Sequence, residues 1–163
     1  MRIIGIDPGI SGAAVLNVDG RYDSHEFMPT IKLGKRSRVN AAALAGFVRG
    51  AEPDHIVIER VGAMPGQGVA SMFSFGHSAG ILEGIAAALG VPYELITPQK
   101  WKSYFGLLGT DKDAARAKAV QLFPQAPLAR KKDLALADAL LLSEFVRLVR
   151  SPDEAVDAAQ GVE

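Results

Sequence analysis

Apolar and polar positions along the chain fall into short β-branched runs and longer stretches with helical spacing. Ile3, Ile4 and Ile6 form a brief apolar run that Asp7-Pro8-Gly9 punctuates, which is the pattern of a strand ending in a turn. Ala13 to Val18 resumes the extended pattern, Asp19-Gly20 makes a tight hairpin turn, and Arg21 to Phe27 is the third strand. Thr30 to Arg38 is a basic, glycine-containing connection expected to lie exposed. Helical spacing of Ala43, Leu44, Phe47 and Val48 predicts a helix over 39–48, ended by Gly50. His55 to Glu59 is apolar and short, as a buried strand is, and a loop follows from Gly62 to Gly68. A small-residue helix runs over about 69–89 and stops at Gly90, and Pro92 to Ile96 is the next strand. Thr97-Pro98 offers a cap followed by proline at a first helical position, so a helix begins there. Thr110 or Asp111 opens a basic helix through Lys118 to Phe123, and the Gly- and Pro-free stretch Leu134 to Val149 is the last helix. The order βββαβαβααα, without internal repeats, predicts an α/β sandwich with a mixed sheet of five strands.

Composition narrows the class. A chain of 163 residues is one domain by length and long enough to bury a core without staples. It has no cysteine, which excludes disulfides and thiolate zinc sites. No segment approaches the roughly 18 apolar residues of a membrane span, and the N-terminal apolar run is too short and too soon charged for a signal peptide. The expectation is a soluble, intracellular (cytoplasmic) protein. The net charge of zero hides an asymmetry: residues 1–150 hold all 18 bases with 14 acids, whereas 151–163 hold four acids and no base. A basic body of +4 beside an acidic tail of −4 suits a polyanion partner better than the total suggests.

Three acids stand where acids are costly. Asp7 ends the first strand, Glu59 ends the Ile56-Val57-Ile58 strand, and Asp138 interrupts Leu134 to Leu142, whose neighbouring residues are apolar. A buried, unpaired carboxylate costs several kcal/mol unless something compensates it, and a divalent cation would compensate all three. Hard oxygen ligands suit Mg²⁺ or Mn²⁺ better than Zn²⁺. Plainer roles are open for each taken alone. Asp7 before Pro-Gly could be a turn residue, Glu59 beside Arg60 could end its strand in water, and Asp138 could share a polar stripe with Lys131, Glu144 and Arg147.

With these residues in place, the sequence resembles the RuvC-type Holliday junction resolvases (crossover junction endodeoxyribonucleases) of the RNase H-like superfamily. Ile4-Gly5-Ile6-Asp7-Pro8-Gly9-Ile10-Ser11-Gly12-Ala13 is similar to the family's first catalytic strand and turn, and Ile56 to Val61 to its second. The helix with Gly76, Gly80 and Gly84 resembles its close-packed helix, Thr97 to Lys102 the segment leading into its DNA-contacting helices, and Asp138-Ala139-Leu140 its terminal motif. The match runs over residues 1 to about 148 in order. It departs at two places. The family's fourth ligand, three residues before the last Asp, is Ala135 here, and the aromatic three residues after the catalytic Glu is Gly62, for which Met64 or Phe73 could substitute. The nearest replacement acid is Asp133; five helical residues subtend about 140°, so it reaches the metal only if it lies ahead of the regular helix, and its other role is an N-cap.

The resemblance implies an RNase H-like fold over 1–150, a mixed five-stranded sheet flanked by helices, followed by a flexible acidic tail over 151–163. It implies metal-dependent hydrolysis of four-way DNA junctions with two Mg²⁺ (or Mn²⁺) ions, giving 5′-phosphate and 3′-hydroxyl ends. Asp7, Glu59, Asp138 and Asp133 are the implied catalytic metal ligands. Lys100, Lys102, Lys112, Arg116 and Lys118 are candidate phosphate contacts, each with a solvated helix face as its plainer reading. Trp101 is a core or interface residue, and His55 and His77 are structural. Paired nicks imply a homodimer, with the small-residue helix as candidate interface unless its glycines serve packing on the sheet. Rival readings are a sugar-kinase or actin-like ATPase, an RNase H-like nuclease of RNA–DNA hybrids or other branched DNA, and an inactive junction-binding module.

Overall fold

The computed structural model describes residues 1–60, 62, 66, 68–130 and 133–150. The tail 151–163, Met64 and Lys131, to which expectations were attached, lie outside the described residues. Strand β1 (Arg2–Asp7) pairs antiparallel with β2 (Ala13–Val18), which pairs antiparallel with β3 (Arg21–Phe27). The Asp19-Gly20 turn between the latter two has φ of 50° and 77°, the left-handed pair that a two-residue hairpin requires. On its other edge β1 pairs parallel with β6 (His55–Glu59), which pairs parallel with β7 (Tyr93–Ile96). The mixed five-stranded sheet is thus ordered β3-β2-β1-β6-β7.

The basic connection is not a plain loop. It folds into a separate hairpin, β4 (Thr30–Leu33) and β5 (Arg36–Val39), around Gly34. Its last residue, Val39, is buried, so helix α1 (Ala41–Ala51) starts two residues later than its spacing predicts, capped by the Asn40 side chain on the Ala43 N–H. That helix passes Gly50 and ends on Glu52 in the left-handed region. Helix α2 (Val69–Ala88) precedes β7, and three helices follow it: α3 (Pro98–Tyr104), α4 (Lys112–Leu122) and α5 (Leu134–Arg150). Asp111 caps α4 by accepting from the Asp113 and Ala114 N–H groups.

Strand side chains alternate between faces, and this divides the core in two. Ile4, Ile6, Ile56 and Ile58 pack with α1 and α2; Ile3, Val15 and Val57 pack with α3, α4 and α5. Helix α5 lies directly against β1, and Gly5 permits it: a Cβ there would stand 2.1 Å from the Ala139 carbonyl oxygen. Asn17, Ser143, Glu144 and Arg147 form a hydrogen-bonded group under the sheet. Glu144 and Arg147 are thereby accounted for apart from Asp138.

Candidate active site

The alternation that builds the core also builds the site. Ile3 and Gly5 face α5, so Asp7, in the same phase, faces α5 as well. Val57 faces α5, and so does Glu59. The parallel register sets Gly5 beside Val57 and Ile6 beside Ile58; one residue further along, the two acids stand at adjacent strand ends. Asp138 immediately precedes Ala139, the residue that Gly5 admits. Leu134, Ala135 and Asp138 share the helix stripe that opens on a cleft of about 430 Å³, lined also by Asp7, Ser11 and Lys102. The turn after Asp7 is tied down by Gly12, where a Cβ would stand 1.9 Å from the Asp7 carbonyl oxygen.

The electrostatics of this cluster are those of uncompensated acids. Burial, then Glu59, then Asp138 push Asp7 up to about 8 from 3.8. Burial also raises Asp138 to about 6, with Lys102 opposing and Glu59 adding. Glu59 is raised by burial and held back by the Trp101 hydrogen bond and by Lys102. These shifts have the direction that desolvation and neighbouring like charge produce, and Lys102 is the cation acting on all three. As the side chains stand, no group of three His, Asp or Glu among the described residues encloses a metal position. A pair of ions spreads its ligands over about 4 Å between metals, so the three acids need not converge on one point. An oxygen-rich, electron-rich cleft with one ammonium fits hard divalent cations.

Two residues take on more than the sequence suggested. Trp101, the chain's single tryptophan, is wholly buried and donates its Nε1–H to Glu59 Oε1 at 3.0 Å. It is a core residue, as expected, and it also orients a carboxylate. Its signal in the sequence was a lone tryptophan flanked by lysines, which carries no direction. Lys102 is drawn into the cleft against the acids, its Nζ 5.1 Å from the Trp101 ring.

Asp133 is not brought to the cluster. Its side chain has 0% exposure, and it accepts the Arg130 backbone N–H at 2.9 Å and the guanidinium at 2.8 Å. It acts on His25, Arg116 and Arg130 and not on the three acids. The physical reason is the 3₁₀ turn at Asp133, which directs the side chain back onto Arg130 and away from the cleft. The stripe position of the missing fourth acid is Ala135, which does line the cleft. Arg116 is likewise committed: it bridges both Asp113 oxygens and the Leu128 carbonyl. Of the other candidate phosphate contacts, Lys100 is exposed with Nζ 5.8 Å from the Phe145 ring, Lys118 is half-buried, and the Lys112 side chain lies outside the described residues. Among the described residues no helix is long and apolar enough to cross a membrane.

No family model matches the chain. In sequence it is 27% identical over 157 residues to the crossover junction endodeoxyribonuclease RuvC of Paenarthrobacter aurescens, covering 90% of this chain and 82% of that protein. In structure it is similar to T. thermophilus RuvC in complex with Holliday junction substrate, at a TM-score of 0.70 and 20% identity over 94% of this chain and 96% of the other. It is also similar to the fowlpox virus Holliday junction resolvase, at a TM-score of 0.56 and 15% identity over 91% of this chain and 100% of the other. The strand ends, the cleft and these likenesses agree: in sequence the chain is similar to RuvC crossover junction endodeoxyribonucleases, and in fold it is similar to Holliday junction resolvases.

Proposed function

We propose that this chain is a structure-selective endodeoxyribonuclease that resolves four-way DNA junctions by metal-dependent phosphodiester hydrolysis, leaving 5′-phosphate and 3′-hydroxyl ends. The observation that carries this reading is that Asp7 and Asp138 line one cleft while Glu59, at the adjacent strand end, acts on both, with Asp7 pushed up to about 8 by burial and by its fellow acids. Such acids are poorly matched to water and well matched to cations. Asp7 feels both of the other acids, and by the family resemblance it would be shared between two Mg²⁺ or Mn²⁺ ions. Glu59 would serve one ion and Asp138 the other. When bound, the ions supply an activated water and relief of charge on the leaving 3′-oxygen.

The chain's own residues prepare that chemistry. Trp101 holds one Glu59 oxygen and so fixes the orientation of that carboxylate beside Asp7. Lys102, in the cleft lining, offsets the acids and would meet the scissile phosphate. Lys100, exposed on the same short helix, would meet a neighbouring phosphate. Two nicks across a near two-fold junction call for two sites, so we infer a homodimer. The open glycine stripe on α2 supports it: a Cβ at Gly76, Gly80 or Gly84 would meet nothing within 4 Å, so these glycines do not serve packing within the chain.

The test is cleavage of matched four-way, three-way and linear DNAs with Mg²⁺ or Mn²⁺. Cleavage of the four-way junction should dominate and disappear on chelation. Asp7→Asn should lower the rate by at least about 100-fold, the scale of one lost transition-state interaction, while junction binding persists. Wild-type cleavage by that variant would remove Asp7 from the mechanism; equal cutting of all three DNAs would remove junction selectivity.

A further inference from the structure

Thr30 to Val39 carries Lys32, Lys35, Arg36 and Arg38 and no acid. These residues form the β4–β5 hairpin, which stands outside the five-stranded sheet. Among the described residues none of the four bases has an ion-pair partner, whereas Arg116, Arg130, Arg147 and Arg150 each have one. Cross-strand partners share a face, and the register pairs Ile31 with Arg38 and Leu33 with Arg36. Both guanidinium groups therefore leave the hairpin on the same side. There, Arg36, Ser37 and Arg38 line a narrow cleft against Phe73, Ser74 and His77 of α2. This lining offers positive charge and hydroxyl and imidazole groups, with no carboxylate. Phe73 is 65% exposed. Its neighbour in the same turns of α2, Phe75, lies with its ring against Gly9, two residues beyond Asp7. The basic hairpin and the acid cleft thus border the same end of α2.

We propose that the β4–β5 hairpin is a second DNA-binding element, in which Arg36 and Arg38 take backbone phosphates of a duplex arm beyond the scissile cleft. This rests on the reading of the chain as a junction nuclease. Phosphate contacts fix position and register and carry no sequence information, which suits a site that must hold an arm whatever its bases. The exposed Ile31 and Leu33 on the same face would also suit a protein partner. A second copy joined through this face about a two-fold axis, however, would oppose the same uncompensated positive charges.

The experiment measures affinity for a labelled four-way junction, and for a linear duplex of equal length, in chelator from about 50 to 200 mM salt. The variants are R36Q/R38Q and, on exposed positions outside the core, K32Q/K35Q; R49Q on α1 is the control. For the arginine pair the slope of log affinity against log salt should fall by about 1.8, at about 0.9 per lost phosphate contact. The lysine pair should weaken binding in the same direction, and R49Q should change neither slope nor affinity. Slopes equal to wild type in both pairs overturn the proposal. So does loss of the dimer in the arginine pair, by light scattering, with an unchanged slope in the lysine pair, because the face is then a subunit interface. Absence of any junction preference in the wild type counts against the proposed function instead, and the hairpin is still judged by the slope difference on the duplex.

Discussion

Asp133 illustrates how a single side chain is assigned by its surroundings. It is fully buried, and its oxygens are taken up by the backbone and guanidinium of Arg130. Arg130 is itself 55% exposed, so solvent screens the pair and its net worth lies between that of an exposed bridge and a buried one. Asp133→Asn keeps an acceptor for the Arg130 N–H and removes the charge. It should cost about 1–2 kcal/mol of stability, the scale of a charge-assisted hydrogen bond, and leave the Mg²⁺ concentration for half-maximal cleavage unchanged. Denaturant unfolding measured beside an Mg²⁺ titration separates the two roles; a steep rise in the Mg²⁺ requirement would restore Asp133 as a ligand. Trp101 makes the complementary point, because a residue expected only in the core reaches Glu59 from there.

At the level of elements, the site depends on how closely α5 lies on β1. Gly5 and Asp7 face the same helix, and Gly5 sits beneath Ala139, next to Asp138. Any side chain at position 5 would force the helix outward. Gly5→Ala should therefore cost about 1–3 kcal/mol as overpacking and lower cleavage by moving Asp138 relative to Asp7 and Glu59. Thermal unfolding and cleavage at saturating Mg²⁺ read the two effects. Wild-type stability would mean that α5 can shift freely, and the close approach would then have no bearing on the site. Helix α2 shows the opposite arrangement: its glycines Gly76, Gly80 and Gly84 face open space, so their lack of side chains is unused within the chain.

Across the whole molecule, the acid cluster makes folding depend on pH. Asp7 and Asp138 have folded values of about 8 and about 6 against 3.8. A raised carboxyl value means that the metal-free fold favours the protonated acids. That contribution is fully present below about pH 4 and is lost as pH rises through the folded values, to completion above about pH 8. A divalent ion must displace these protons, so its stabilisation grows as they leave. The increase in melting temperature on adding Mg²⁺ should be larger at about pH 8 than at about pH 5, and Asp7→Asn should shrink the difference. Equal increments at both pH values would mean that the cluster is not where the ion binds.

Much of this was legible in the chain. The strands, the Asp19-Gly20 turn, the Pro98 and Asp111 helix starts and the last helix follow from side-chain period and local backbone chemistry, which act within a few residues. The three acids were legible because each interrupts or ends an apolar run, where charge is expensive. Their convergence, with Asp7 and Glu59 on the α5 face and Asp138 above Gly5, required the parallel register of β1 and β6 as well as the period. The hairpin at Thr30–Val39 was hidden because its strands are short, mostly exposed and charged, with no apolar alternation to mark them. Asp133, Arg116, Trp101 and Lys102 were undecidable from sequence for a common reason. A charged or polar side chain takes its role from the partner nearest in space, and for Trp101 that partner, Glu59, lies 42 residues away along the chain.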